Sequence, residues 1–255
     1  MTTVCLLLPD SFESAGTLKY MLNSSLTTGT LNVPIAWPNY GNTDWELEGG
    51  REMLDQAFSD WAGEEIVVLG HNDGSRVINL WLKVYGQTRF DDDIVDATKT
   101  SFYLLGDPVN RYGGVYFSED IVVPQDTPYD VTVITRQYDG YADWPGDDTN
   151  NDAVKNAIYG QQHVNPDYFD IDIDPTDDGN YLFTEQNIKY IWNQTYPLPS
   201  VYTSNTLLKK WGLADTPTSG DWVSMQDESS RPGIDAAYAV VGKNPRPVVI
   251  PPPAY

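Results

Sequence analysis

One short segment has the spacing that presents a catalytic nucleophile at a sharp turn. It is Gly70-His71-Asn72-Asp73-Gly74, which lies between an apolar run at 66–69 and an apolar-rich stretch at 77–86. In the pattern glycine-x-nucleophile-x-glycine, the glycines make room where a strand turns into a helix, and the central side chain is exposed for attack. The central residue here is Asn72, and an amide has no hydroxyl or thiol that a base could activate.

Short apolar runs and amphipathic stretches alternate before and after this turn. The pattern predicts strands at 4–8, 33–37, 66–69, 101–105 and 129–135, and helices at 47–62, 77–86 and 152–159. Because strands alternate with helices, we expect an α/β fold with a mostly parallel sheet and helices on both faces. Beyond residue 163 the pattern weakens, and it predicts a strand at 181–184 and a short helix at 206–211.

Composition excludes several classes of protein. The chain has 255 residues, of which 13% are aromatic, and disordered chains are poor in aromatic residues. Its net charge of −22 opposes binding to nucleic acid and to anionic membrane surfaces. The apolar run at 4–8 is too short for a signal peptide, and no stretch is long enough to insert into a membrane. With 1 Cys and 2 His, the sequence predicts no disulfide within the chain, no zinc site and no cofactor.

Two blocks of sequence are specific enough to indicate a family. They are LGDPVNRYGG at 105–114 and TRQYDGYADWP at 135–145, and three weaker ones accompany them: VVLGHNDG at 67–74, the helix at 152–160 leading to His163, and NYLFTE at 180–185 with PLP at 197–199. In order and spacing, from about residue 3 to about residue 200, these blocks resemble the PE-PPE domain. That family of actinobacterial serine hydrolases is related to cutinases and to the phage mycolyl-arabinogalactan esterases called lysin B.

The resemblance implies a cutinase-like α/β-hydrolase fold and assigns roles by position. It implies one domain over 1–243, with about 165–243 as an extension over the core. The nucleophile position falls on Asn72, the acid on Asp143 and the base on His163, which is the chain order typical of this fold. We therefore expect a vestigial triad in which Asn72 hydrogen-bonds to His163, while Asp139 caps the turn before Asp143.

The oxyanion hole is also altered in this sequence. The resemblance assigns one donor to the backbone N–H of Asp73, whose carboxylate opposes a developing negative charge. The second donor belongs to the loop after the first strand, where Pro9 has no N–H and Ser11 could donate through its hydroxyl. The sequence thus predicts oxyanion-hole positions at Asp73 and Ser11 that stabilise an oxyanion poorly.

An acidic stretch raises the question of a metal site. Asp174, Asp178 and Glu185 fall on positions 1, 5 and 12 of a calcium-binding loop, but no helix flanks them. The family resemblance gives residues 178–180 as a hairpin turn instead. We expect no metal, with calcium at these three residues as the weaker alternative.

Two functions follow from these observations. The first is a catalytically degenerate hydrolase fold that serves as a structural or binding module, a pseudoenzyme in a phage tail or other virion component made in the host cytoplasm. Its proline-rich tail at 244–255 is expected to run extended and to dock on a protein partner. The alternative is an active esterase on mycolyl or acyl esters, in the cytoplasm if not in a virion. The many Trp and Tyr residues would suit a cleft for a cell-envelope glycan or lipid.

Overall fold

The computed structural model describes residues 2–10, 13–38, 44–118, 120–174, 176, 179–210, 219–239, 247–248 and 250–253. Its centre is a seven-stranded sheet with the order β2-β1-β3-β4-β5-β7-β6. Every strand pair is parallel except β6 with β7. The strands are β1 (Thr3–Leu8), β2 (Leu31–Pro34), β3 (Glu65–His71), β4 (Thr100–Leu105), β5 (Asp130–Arg136), β6 (Asn180–Glu185) and β7 (Ile188–Asn193).

Helices connect these strands and follow them along the chain. They are α1 (Ala15–Leu18), α2 (Asp44–Asp60), α3 (Asp73–Trp81), α4 (Gln87–Asp91), α5 (Asn151–His163), α6 (Pro199–Lys210) and α7 (Ser219–Tyr238). A π-helical segment, Leu82–Gly86, joins α3 to α4. The mostly parallel sheet with covering helices confirms the predicted α/β-hydrolase fold class. None of the helices within the described ranges is both long and apolar enough to cross a membrane.

The central strands are buried on both faces, which explains why they appear in the sequence as apolar runs. In β1, alternate side chains enter two different clusters. Val4, Leu6 and Leu8 pack with residues of α2 and α3, whereas Cys5 and Leu7 pack with Leu18 of α1 and with Tyr168 and Ile171. A strand enclosed in this way has no polar face and appears as a continuous apolar run.

Some local predictions differ from the structure. The second strand is β2 at Leu31–Pro34, not 33–37. The hairpin that contains β6 turns between Glu185 and Ile188, where Gln186 has φ 53°. Of the hairpin turn expected at 178–180, Gly179 has φ 95°, and residue 178 lies outside the described residues. Only the part of helix α6 from residue 206 onward was predicted. The strand β7 and the helix α7 were not predicted at all, because neither has a strong apolar period of its own.

The helices α6 and α7, with the loop before them, form a layer that we call the extension. Its anchor is Arg231, which is 1% exposed. The guanidinium donates to both carboxylate oxygens of Asp227, at 2.6 and 2.9 Å, to the carbonyl of Thr195 at 3.1 Å and to the hydroxyl of Tyr138 at 2.9 Å. Since Tyr138 lies just after β5, this network holds α7 against the end of the sheet where the candidate site lies.

The described part of the tail lies on its own chain. Residues 247–248 and 250–253 form neither helix nor strand. Val248 packs against the core, and Ile250 is 7% exposed. The carbonyl of Pro251 accepts a hydrogen bond of 2.5 Å from Nε2 of Gln194. Docking of the tail on another protein stays a prediction.

Candidate functional site

The turn between β3 and α3 has the strained geometry of a nucleophile elbow. Asn72 has φ 47° and ψ −108°, a combination that costs a non-glycine residue about 1–3 kcal/mol. A Cβ on Gly74 would lie 1.8 Å from the carbonyl oxygen of Leu8, and one on Gly70 would lie 2.6 Å from the side chain of Ile78. The two glycines are therefore required by close packing, and the turn keeps the shape that presents residue 72 at the sheet edge.

A chain of hydrogen bonds runs from Asn72 into the core. Nδ2 of Asn72 donates to Oδ1 of Asn165 at 3.4 Å, and Nδ2 of Asn165 donates to the two carboxylate oxygens of Asp139 at 3.2 and 3.1 Å. A carboxylate can only accept, so Asp139 fixes the amide of Asn165 with its oxygen toward Asn72. The chain thus runs from the elbow residue through two amide side chains to a buried carboxylate.

The predicted acid position is corrected by this geometry. Asp143 is fully buried, and its Oδ2 accepts a hydrogen bond of 2.7 Å from the backbone N–H of Tyr138, so it caps the turn. Asp139 instead accepts from Asn165, from the hydroxyl of Tyr168 at 2.7 Å and from the backbone of Tyr141 at 3.0 Å. Burial raises the pKa of Asp139 above its ordinary value. Asp139 therefore caps the turn as expected, and it is Asp139 rather than Asp143 that contacts Asn165, the side chain bonded to Asn72.

The structure pairs Asn72 with Asn165 and not with the expected His163. His163 is the last residue of α5 and is exposed, with its ring 5.3 Å from the ring of Tyr202 in α6. It lines a cavity of about 200 Å³ together with Arg136, Asp167 and Tyr196, and it makes no hydrogen bond to Asn72. After α5 the chain turns back, with the N–H of Asn165 donating to the carbonyl of Gly160, and this turn brings Asn165 to the elbow.

His71, beside Asn72, is held between two acceptors. Its side chain is 3% exposed, with Nδ1 2.9 Å from the carboxylate of Glu13 and Nε2 2.9 Å from the backbone carbonyl of Asn165. Because a backbone carbonyl and an ionised carboxylate can only accept, this position favours the imidazolium form of His71, in which both ring nitrogens donate. Burial lowers the pKa of His71, but the carboxylate of Glu13 outweighs it, and the net shift is upward. The cation ties the loop after β1 to the loop after α5.

The oxyanion-hole region is crowded with carboxyl groups. Asp73, 2% exposed, contacts the carboxyl of Asp10, and its Oδ1 accepts from Arg76 at 3.2 Å. Burial, followed by the charge of Asp10, raises the pKa of Asp73 to about 6. The predicted poor stabilisation of an oxyanion at Asp73 and Ser11 stays a prediction. Ser11, the other predicted donor, lies outside the described residues.

The sequence block at 105–114 connects the helix that follows the elbow, α3, to the end of β4. Asp107 is 1% exposed, and its carboxylate accepts from Nδ2 of Asn79 in α3 at 2.9 Å and from the backbone of Val109 at 3.1 Å. Burial raises the pKa of Asp107 to about 6. The block therefore locks α3 to the end of β4, and it also contacts the amide chain, because the backbone N–H of Asn72 donates to the carbonyl of Leu105 at 2.9 Å.

The strand β6 separates the residues of the alternative calcium site from one another. Oδ1 of Asp174 accepts from the backbone N–H and the hydroxyl of Thr176, and the carbonyl of Asp174 accepts from the side chain of Asn180. Asn180 is the first residue of β6, whereas Glu185 is the last. A strand rises about 3.3 Å per residue, which separates them by roughly 16 Å. Glu185 accepts instead from Tyr112 and Gln125, and Asp178 is outside the described residues. Among the residues with described positions, no three His, Cys, Asp or Glu side chains form a metal-binding group.

Chemically, the elbow offers an amide where attack on an ester requires a nucleophile. The nearest hydroxyl along the chain, Ser75, is fully buried and donates to the carbonyl of Leu105 at 3.1 Å. Asn165, Glu13 and Tyr168 were not identified from the sequence. The one available signal was the position of Asn165 two residues after a helix end, in a segment where the residue types favoured His163.

Two curated relatives from Mycobacterium tuberculosis resemble this chain. It is 28% identical over 175 residues to a protein named "Uncharacterized PPE family protein PPE28", a match covering 64% of this chain and 26% of that protein. It is 33% identical over 110 residues to one named "Esterase PE16", covering 39% of this chain and 21% of that protein. The matches thus span about a quarter of the relatives' lengths or less.

Solved structures show a distant likeness. A cutinase-like protein from Cryptococcus sp. superposes with a TM-score of 0.44 at 13% identity, over 56% of this chain and 79% of that one. An acetyl xylan esterase superposes with a TM-score of 0.41 at 14% identity, over 64% and 96%. The family model of the PE-PPE domain matches residues 39–239, which include the elbow, the amide chain and the extension. This chain belongs to the PE-PPE domain family.

Proposed function

We propose that this chain is a catalytically degenerate member of its hydrolase family, and that its elbow site binds a ligand without hydrolysing it. The observation that carries the proposal is the chain Asn72–Asn165–Asp139, in which amides take both the nucleophile and the base positions. An amide neither forms an acyl intermediate nor accepts a proton near neutral pH. Loss of two groups that act as a unit leaves only the residual catalysis of binding.

The acidic oxyanion region supports the same proposal. In hydrolysis through a tetrahedral intermediate, donors must face the developing oxyanion, and removing one donor costs about 2.7–4 kcal/mol. Here Asp10 and Asp73 place carboxyl oxygens near that position. An acyl group bound at the elbow would therefore gain little stabilisation of its transition state.

Active esterase chemistry is the alternative, and the name of the relative "Esterase PE16" is its main support. It requires an attacking group. Ser75 is buried and engaged with Leu105, and His163 lies in a different cleft. A location in a virion and a protein partner at the tail remain proposals. The described part of the tail packs on its own core, so the ligand-binding role depends on the elbow alone.

Hydrolysis of p-nitrophenyl butyrate tests the proposal. We expect the parent protein and Asn72→Ala to hydrolyse it at rates equal within twofold, both at the rate of buffer alone. A parent rate at least tenfold above Asn72→Ala would contradict the proposal and restore the esterase alternative. A parent rate well above buffer that Asn72→Ala leaves unchanged would indicate a nucleophile elsewhere, and that outcome also contradicts it.

A further inference from the structure

The elbow holds Asn72 in the backbone conformation that a cyclic imide requires. A succinimide ring forms when the backbone nitrogen of the next residue bonds to the side-chain Cγ of an asparagine, so that nitrogen must lie beside Cβ. At the ψ of a helix or a strand, about −42° or about +135°, the nitrogen lies well away from Cβ. Asn72 has ψ −108°, at which the nitrogen of Asp73 nearly eclipses Cβ. The strained turn thus brings the two reacting groups together.

Hydrogen bonds and close packing hold this conformation in place. The N–H of Asn72 donates to the carbonyl of Leu105 at 2.9 Å, and its carbonyl accepts from the N–H of Arg76 at 3.2 Å. The flanking glycines, Gly70 and Gly74, pack too tightly against their neighbours for a side chain to fit. Because folding already fixes the reactive ψ, ring closure does not have to find that conformation by chance, as it does in a flexible chain.

The attacking nitrogen lies where its negative form is stabilised. Asp73 is the first residue of α3, so its N–H has no partner within the helix. The positive end of the helix dipole lowers the cost of removing that proton. The carboxylate of Asp73 opposes this effect, but Arg76 donates to its Oδ1 at 3.2 Å and offsets the charge. The nitrogen is therefore a better nucleophile here than within the body of a helix.

The carboxamide of Asn72 is loosely held. Among the residues that the structure describes, its one hydrogen bond runs from Nδ2 to Oδ1 of Asn165 at 3.4 Å, which is longer than usual. The side chain does not cap α3, and the residue is 7% exposed, so it is not sealed from solvent. Rotation about Cα–Cβ brings Cγ to the nitrogen of Asp73 at the cost of that single long hydrogen bond.

We propose that Asn72 is a site of self-modification, at which the folded chain closes a succinimide ring that water then opens. The nitrogen of Asp73 loses its proton to solvent and bonds to Cγ of Asn72. The bond from Cγ to Nδ2 breaks, and Nδ2 takes up a proton and leaves as ammonia. Water opens the ring at either carbonyl, which leaves aspartate or isoaspartate at position 72. The modification adds one negative charge to the elbow, and it does not depend on the ligand binding proposed above.

The chain contains a matched control for this chemistry. Asn151 is also followed by an aspartate, Asp152, and it is an exposed residue in the first turn of α5. Its helical backbone keeps the next nitrogen away from Cβ. The sequence has no Asn-Gly pair, in which the ring closes with least hindrance. The side chain of a following aspartate hinders closure in a flexible chain, so fast conversion at Asn72 has to come from the fold.

Incubation of the full chain at pH 7.5, followed by peptide mapping with mass spectrometry, tests the inference. We expect loss of ammonia and then gain of water at Asn72, with isoaspartate among the products, at least tenfold faster than at Asn151. Unfolding the chain in guanidinium chloride should slow conversion at Asn72 at least tenfold, because the elbow geometry is lost. The native rate should rise with pH from 6 to 8, because the reaction begins with removal of a proton.

Three results would overturn the inference. The first is conversion at Asn72 in the native protein that is absent or no faster than at Asn151. The second is an equal rate at Asn72 in the native and the unfolded chain. The third is aspartate alone at position 72, without isoaspartate or a species that has lost ammonia, which would show direct hydrolysis of the amide by water. Complete conversion at Asn72 in freshly purified protein, with Asn151 intact and isoaspartate present, would support the inference.

Discussion

The elbow site and the extension both bury charged side chains, and they satisfy them differently. In the extension, Arg231 donates four hydrogen bonds, and Asp227 receives two of them as well as one from the backbone of Leu198. At the elbow, Asp10 and Asp73 face one another, and Oδ2 of Asp73 has no N–H or hydroxyl donor among the described residues. The Arg231–Asp227 pair is thus satisfied within the chain, while one carboxylate oxygen of Asp73 is not.

This difference separates a structural network from a site. A buried network that is fully paired fixes one arrangement of its elements, which suits the attachment of α7 to the sheet. Buried acceptors without donors, next to a strained residue, lower stability and persist where something outside the fold uses them. The comparison therefore indicates that the Arg231 network stabilises the fold, and it is consistent with the ligand binding that we propose for the elbow.

Breaking the extension should have the largest effect on stability. Arg231→Met leaves Asp227 buried without its cation, which should lower the free energy of unfolding by about 3–5 kcal/mol. Denaturation with urea measures it, and the paired variant Arg231→Met/Asp227→Leu should recover part of the loss. A loss below about 1 kcal/mol for the single variant would show that the network is not the anchor.

Removing the imidazolium at the elbow should have the next largest effect. His71→Gln loses a charged hydrogen bond to Glu13, which should cost about 1.5–3 kcal/mol at pH 6. Since the folded pKa of His71 is raised, its stabilisation is complete below the unfolded pKa and is lost as pH rises through the folded value. The cost should therefore shrink from pH 6 toward pH 9. A cost that does not change with pH would contradict the charged state assigned to His71.

The elements that the sequence predicts are those held by local patterns, and the ones it misses are held by tertiary contacts. Apolar runs revealed β1, β3, β4 and β5, because these strands are buried on both faces. The strand β7, with Lys189 inside it, and the helix α7, with Pro232 inside it, were missed because tertiary contacts hold them rather than local preference.

At the site, the sequence predicted the elbow and the loss of its nucleophile but not the partner of Asn72. Residue type favoured His163, while the turn after α5 places Asn165 at the elbow. The choice between Asp139 and Asp143 likewise depended on which way two buried carboxylates point within one turn, and a spacing pattern does not contain that information.

The acidic pair should make the elbow less stable as pH rises. The pKa of Asp73 is raised to about 6, so its contribution to stability is complete below its unfolded pKa of about 3.9 and is lost as pH rises through about 6. Asp73→Asn removes this loss, and its amide can donate to Asp10. We expect the variant to be more stable than the parent by about 1–2 kcal/mol at pH 8 and equal at pH 4. Equal stability at both values would contradict the pairing, with Asp92→Asn as the control.

Relieving the strain at the elbow should give the smallest effect. Asn72→Gly should stabilise the fold by about 1 kcal/mol, because φ 47° with ψ −108° is unfavourable for asparagine and accessible to glycine. The matched change Asn23→Gly, at φ 53° and ψ 26°, lies in the left-handed region that asparagine tolerates and should give less. Thermal unfolding compares the two, and an equal gain would mean that the elbow stores no special strain.

Covalent labelling with a fluorophosphonate tests most directly the claim that the site keeps the architecture of a hydrolase without its reactive groups. Intact mass should show no adduct on the parent protein. The double variant Asn72→Ser/Asn165→His should carry one adduct at position 72, because Asp139 already lies where it would orient the ring at position 165. An adduct on the parent, or a correctly folded double variant that stays unlabelled, would contradict the account.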